Sequence, residues 1–306
     1  MAKDQDMTIR ALRSKDDVAI DSIACLISVL VLIAVIYPLI YIVSSSFSEP
    51  SEVALGRVLL LPRGFTLEGY KRILEYGDIW LGYRNSIFYT VVGTLMNLAV
   101  TLPAAYALSR KDMAGNALLT SIFASTMFFS GGLIPTYLVY KKLSMTNTIW
   151  CMLIPGLISM WNTVVCRTYF TNSIPHEMEE ASKIDGCGDI RLFVSIILPL
   201  SAPITAVMVM YYAVGHWNAY FNAMIYLSKH ELYPLQLFLR NILLLDTMQE
   251  LLGADAESQR EILRLSQLKE SMKFGIIVVS ALPMLMMYPF FQKYFVKGVM
   301  VGAVKG

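Results

Sequence analysis

Long apolar runs separated by shorter polar stretches fill this chain from near its start to near its end. Residues 1–19 are polar, with Lys3, Arg10, Arg13 and Lys15 among four aspartates. Residues 20–43 are apolar, with Asp21 at the edge. Five further apolar runs fall at about 85–108, 117–140, 148–170, 202–227 and 272–295. A hydrocarbon core about 30 Å thick needs about 20 apolar residues in helix, so each run is long enough for one tilted span. The pattern predicts an all-α, polytopic membrane helix bundle of six transmembrane helices. The first run is too long for the apolar core of a signal peptide, and no small-x-small cleavage site follows it, so it is expected to stay as the first span.

Most of the runs carry helix breakers. Pro103 lies in the second, Gly131-Gly132 and Pro135 in the third, Pro155-Gly156 in the fourth, Gly215 in the fifth, and Pro283 and Pro289 in the sixth. Membrane helices tolerate such breaks where neighbours or a water-lined path satisfy the freed backbone groups. That suits a pathway-forming bundle, although Gly and Pro are common in membrane helices generally.

Two polar stretches are long, at about 44–84 and 228–271. The first holds Pro- and Gly-marked turns and a helix expected to begin near Thr66. The second holds residues 235–245, apolar enough to lie on a membrane or a partner, and a charged, helix-like stretch at 255–269. Some forty residues exceed what connection needs, so both are expected to dock an external partner.

The stretch from Ser173 to Pro203 is the most strongly punctuated. Ser173 can cap a helix start, and Pro175 sits where a first turn has no donor to lose. Glu177, Glu179 and Glu180 follow on the side that the helix dipole favours, and Lys183 lies near the other end. Gly186 supplies a left-handed stop. The expectation is a short helix, a hinge at Gly186-Cys187-Gly188, and an amphipathic run entering the membrane. Met178, Ala181 and Ile184 share a face. From helix physics alone, an interfacial helix with no further role is an equal reading.

Composition narrows the function. Charged residues make up only 16% of the chain and hydrophobic ones 56%, which excludes an ordinary soluble domain. A net charge of +2 gives no argument for nucleic acid. Cys25, Cys151, Cys166 and Cys187 form no C-x-x-C, and His176, His216 and His230 are far apart, so no metal site is expected. There is no G-x-x-x-x-G-K-[ST], no H-E-x-x-H, and no identifiable partner for Ser44-Ser45-Ser46 as a nucleophile. An ion-coupled secondary transporter of a small polar solute is the alternative. It would want ionisable groups inside the spans, but Asp246 and Glu250 lie outside them and Glu177 to Asp189 lie in a loop.

The longer pattern Glu180-Ala181-Ser182, three residues, Gly186, nine residues, Ile196, one residue, Leu198-Pro199 resembles the E-A-A-x3-G-x9-I-x-L-P signature of ABC importer permeases. Ser182 replaces the second alanine, a small-for-small change. The phrases Phe128–Tyr137, Ala213–Asn218 and Glu231–Gln236 and the ending K-G-V-M-V-G-A-V-K-G look like the carbohydrate branch. That branch includes the smaller permease of the maltose importer and the lipoprotein-type polysaccharide transport permeases. The resemblance runs from about Pro38 to Gly306.

It implies the type I importer permease fold. It also implies a coupling helix in which Glu180, Ala181, Ser182, Asp185 and Gly186 meet a cytoplasmic ATPase. The tail residues Val304, Lys305 and Gly306 would make a second ATPase contact. The chain itself would bind no cofactor and catalyse nothing, with ATP and Mg²⁺ held by two partner ATPase subunits. A second, non-identical permease, an external sugar-binding protein, an oligosaccharide substrate and membrane lipid complete the expected partners. The implied location is the bacterial plasma membrane.

Positive charges barely orient the bundle, since Arg57, Arg63, Lys71, Arg72, Arg84 and Lys141-Lys142 oppose Ser109-Arg110-Lys111 and Lys293, Lys297 and Lys305. The coupling signature decides it. Both termini would be cytoplasmic, as would loop 171–201 within the 85–296 core and the tail 297–306. Loops 44–84 and 228–271 would be external. A sugar path needs aromatic faces with amide and hydroxyl groups. Tyr211, Tyr212, His216, Trp217, Asn218, Tyr220 and Asn222 in the fifth span, Trp161-Asn162 in the fourth and Asn97 in the second are the candidates. Interhelical hydrogen bonding is an equal reading for each of them.

Overall fold

The computed structural model describes residues 15–244 and 272–292. Those residues are helices and connections, with no strand among them. They fall into two compact units, Met1–Ile73 with Asp246–Val279, and Leu74–Leu245 with Ser280–Gly306.

In the first unit, α1 (Lys15–Ser46) is apolar on every face and exposed along its span. A helix of that pattern has no watery side to present and suits a surround of lipid or other helices. Its end is folded down by hydroxyls. Ser44 Oγ donates to Leu60 O at 2.6 Å, Tyr70 Oη donates to Ser46 Oγ at 2.8 Å, and Ser48 Oγ accepts from the Arg63 amide at 3.0 Å. The serines with no legible role thus tie down the following loop, with α2 (Pro50–Ala54) and α3 (Glu68–Glu75) in it. The helix expected near Thr66 starts at Glu68, whose amide donates to Thr66 Oγ1.

In the second unit, α4 (Gly77–Ser109) is central. It starts at Gly77, not Asn85, and buries residues at helical spacing, from Ile79 and Gly82 through Tyr89, Gly93 and Asn97 to Ala105 and Leu108. The third expected span is two helices, α5 (Asn116–Ser125) and α6 (Leu133–Lys142). The fourth is α7 (Trp150–Leu153) and α8 (Met160–Ser173). Gly132 at φ +80° and Gly156 at φ +72° lie in the two breaks, where the left-handed backbone ends any helix. Next come α9 (His176–Ile184) and α10 (Asp189–Leu200), the latter with a π turn over Phe193–Ile197. After Ser201 the chain turns by 84° into α11 (Ala202–Trp217). The fifth run therefore ends at Trp217 and resumes as α12 (Phe221–Tyr226). The third and fourth runs are thus broken where their Gly and Pro residues fall. Among the described residues, three helices are long and apolar enough to cross, α1, α4 and α14 (Met272–Gln292), or four if α10 and α11 count as one bent span.

The segment after α12 corrects another expectation. Residues 235–244 form α13 (Leu235–Leu244), which does not lie free for a membrane or partner. Leu235, Leu237, Phe238 and Leu239 are buried, and the Leu235 amide donates to Ser86 Oγ on α4 at 2.9 Å. Gly82 permits this, because a Cβ there would lie 2.8 Å from Phe238 and 2.9 Å from the Leu235 backbone. The charged stretch 255–269 and the tail residues Val304, Lys305 and Gly306 lie outside the described residues.

Candidate coupling site

The short helix α9 starts after Pro175, which occupies the N-cap position at ψ 136°. Ser173, expected there, instead ends α8. Glu177 and Glu179 fall in the first turn and Lys183 in the last, matching the helix dipole. At the C-terminus the Gly186 amide donates to Lys183 O at 3.0 Å and the Cys187 amide to Ser182 O at 2.9 Å. With Gly186 at φ +72°, this is a Schellman closure, in which a glycine satisfies carbonyls that the helix would orphan.

The helix has two faces. Glu179 and Ser182 are each only 7% exposed, whereas Glu180, Ala181, Lys183, Ile184 and Asp185 are exposed, Ile184 to 86%. Ser182 Oγ folds back onto Met178 O at 2.8 Å, so this residue lies against its own bundle and away from the outer face. Ala181 and Ile184 do share the outer face, and Met178 is half-buried.

The inner face is held by groups that sequence reasoning passed over. Tyr106 Oη, near the end of α4, donates to Glu179 Oε1 at 3.0 Å in a buried contact. Arg110, just past α4, clamps Asp112 with two bonds, Nε to Oδ1 at 2.9 Å and Nη2 to Oδ2 at 2.7 Å. Its Nη1 reaches Asp189 Oδ1, at the start of α10, at 2.6 Å. Lys183 Nζ of α9 reaches Asp112 Oδ2 at 2.8 Å. Hydrogen bonds from Arg110 and then Lys183 hold the Asp112 carboxyl well below the usual carboxylate range, and Asp112 in turn raises Arg110. A lowered carboxyl stabilises above its ordinary pKa and loses that contribution only as pH falls through the lowered value, so Asp112 stays charged at neutral pH. In the sequence Arg110 stands out only as part of a basic turn, and Glu179 only as one of three acids near a helix start. The i+2 spacing of Arg110 and Asp112 was the available clue.

The candidate pathway residues are partly buried in helix contacts and partly exposed. Tyr212 Oη shares a hydrogen bond with Thr101 Oγ1 at 2.7 Å, and Trp217 Nε1 donates to Ser280 O at 3.0 Å, both buried. Asn218 folds onto Val214 O of its own helix, and Tyr211 and Trp161 are exposed. Asn162 serves the N-cap of α8 through its amide, donated to Ser159 Oγ. His216 meets Asn97 Oδ1 at 2.7 Å. Asn97 Nδ2 donates to Gly156 O at 2.9 Å and Leu157 O at 2.7 Å, which fixes its amide orientation. Its Oδ1 must then accept, so His216 carries its proton on Nε2. Asn97 thereby satisfies the carbonyls freed where α7 breaks from α8. Asn97→Ala should cost about 1–3 kcal/mol, the penalty for buried groups left unpaired, and lower the thermal midpoint in detergent. An unchanged midpoint would mean that the break is held by other contacts. Among the described residues, no group of three or more His, Cys, Asp or Glu could hold a metal ion.

Apolar helices of membrane length, broken spans and a two-faced helix on a glycine-closed turn suit an ABC importer permease of the type I fold, and the comparisons with known proteins show that class. The family described as the binding-protein-dependent transport system inner membrane component matches residues 79–243, and the chain belongs to that family. It is a transport subunit and not an enzyme. LplC of Bacillus subtilis is 38% identical over 89% of this chain and 90% of its own length. The polygalacturonan/rhamnogalacturonan transport system permease protein YtcP of the same organism is 36% identical, covering 89% and 93%. A bacterial ABC transporter involved in the import of the acidic polysaccharide alginate has a chain that matches with a TM-score of 0.82 at 33% identity, covering 93% of this chain and 99% of that one.

Proposed function

We propose that this chain forms half of the translocation path of an ATP-driven importer of oligo- or polysaccharide, and that α9 couples it to a cytoplasmic ATPase. The observation that carries the coupling reading is the outer face of α9. Ile184, an apolar side chain 86% exposed, stands beside exposed Glu180 and Asp185 on a helix whose other face is pinned to the bundle. An apolar side chain rimmed by charges is what an interface anchor requires. Two named relatives move polysaccharides, which supports the substrate class.

On this reading α1, α4, α14 and the bent pair α10–α11 cross, and the broken pairs α5–α6 and α7–α8 complete six crossings. Both termini are cytoplasmic. The partners are a second permease, two ATPase subunits holding ATP and Mg²⁺, and an external sugar-binding protein. Val304, Lys305 and Gly306 give the ATPase a second contact. ATP closes the ATPase pair, α9 moves with its groove, and the bundle rocks between inward and outward states.

The test is gentle-detergent purification of the tagged chain from its native membrane, with mass spectrometry of what accompanies it. A P-loop ATPase, a second permease and a sugar-binding protein are expected. Recovery of the chain without an ATPase at any salt concentration would overturn the reading.

A further inference from the structure

Two routes lead from α9 into the bundle. The covalent one passes the Gly186 turn, the π turn at Phe193–Ile197 and the 84° bend after Ser201. Each of these is a place where a pushed chain can yield, since π turns and bends have few backbone bonds aligned to resist. The other route is non-covalent and short. Tyr106 binds Glu179 from α4, and Asp112, just beyond α4, binds Lys183. Arg110 ties Asp112 and Asp189 together.

We propose that these six residues form a latch that makes α9 and the cytoplasmic end of α4 one rigid lever. Motion delivered to α9 then enters the membrane through α4, and α10 follows because Asp189 is held by the same guanidinium. Charge-assisted bonds suit this role. The Arg110 fork fixes the orientation of the Asp112 carboxylate, which Lys183 of α9 then grips. Tyr106 adds a bond shielded from water, where it is worth more than at the surface. The same α4 carries Gly93 and Asn97, against which His216 of α11 packs. Moving α4 therefore moves the centre of the bundle. Tyr106, Arg110 and Asp112 are positioning residues in this scheme. They touch neither ATP nor sugar.

The inference rests on the coupling role proposed for α9, and the test separates the two. The whole complex is reconstituted in proteoliposomes, and ATP hydrolysed per sugar imported is measured. Tyr106→Phe, Arg110→Gln and Asp112→Asn should each raise that ratio several-fold while leaving the amount of assembled complex unchanged. Arg110→Lys, which keeps the charge but not the fork, should fall between. Ile184→Asp is the control for the docking face.

A second readout avoids latch substitutions. Spin labels at Lys111→Cys and Glu177→Cys, with Cys25 and Cys187 replaced by Ser, report the distance between the two elements with and without ATP. A rigid lever keeps that distance unchanged through the cycle. If it changes by several ångströms, or if the latch variants keep the native ratio while Ile184→Asp abolishes import, the latch is wrong and the coupling role stands. If Ile184→Asp imports normally, both fall.

Discussion

Gly186→Val should leave the complex assembled and hydrolysing ATP but unable to import sugar. The effect comes from the backbone alone. Gly186 stands at φ +72°, yet a Cβ there would meet no atom within 4 Å. No clash confuses the result. An L-residue in the left-handed region costs about 1–2 kcal/mol, and a β-branched one more, while asparagine visits it with little penalty. The Schellman closure would then open, and the end of α9 carrying Ile184 would swing. The expected ranking of import is Gly, then Asn, then Ala, then Val, with Val at least tenfold down, a factor that about 1.4 kcal/mol at one hinge supplies. Import measured against ATP hydrolysis across the four variants decides it. A Val variant that imports normally, or an Asn variant worse than Val, would remove the turn from the mechanism.

Much of the site was legible because it is local. A proline, a cluster of acids, a lysine and a glycine within a dozen residues specify a short helix and its stop without any tertiary contact. Which way that helix faces was not legible. Glu179 and Glu180 are neighbours of the same type, yet the first is buried against Tyr106, distant in sequence, and the second is exposed. Ser182, assigned to the docking face by its place in the signature, lies on the inner face three residues after Glu179. Hydropathy found the six apolar runs but not their breaks. Pro155-Gly156 and Gly131-Gly132 mark where the helices break, but not what holds each break in place. A break becomes stable only when something takes up the freed carbonyls, and for Gly156 and Leu157 that partner is Asn97 on another helix. Leu235–Leu244 failed similarly, since an apolar segment outside the spans looks the same whether it meets lipid or its own chain. The glycine at position 82 that admits it carries no mark in the sequence.

Gly93 sets up the other large effect. It lies inside α4, where glycine costs about 1 kcal/mol against alanine, so its presence needs a packing reason. That reason is His216. A Cβ at Gly93 would stand 2.4 Å from Nε2 and 2.5 Å from Cε1 of the ring. The ring would have to leave, and Asn97 Oδ1 would lose its donor. Overpacking costs about 1–3 kcal/mol, and stranding a buried polar group about as much again. Gly93→Ala should therefore lose about 2–6 kcal/mol on those two terms, and Gly93→Val should fail to assemble. Removing the ring should relieve the clash, so Gly93→Ala with His216→Ala should be more stable than the sum of the two single losses by well over the ~0.5 kcal/mol within which independent sites add. Denaturant unfolding in detergent measures the cycle, and strict additivity would sink the packing account. The same His216→Ala protein decides the role of that side chain. A residue that reads sugar would lower import at unchanged stability. A lock between α4 and α11 would lower stability first, and import by purified, folded complex would hold.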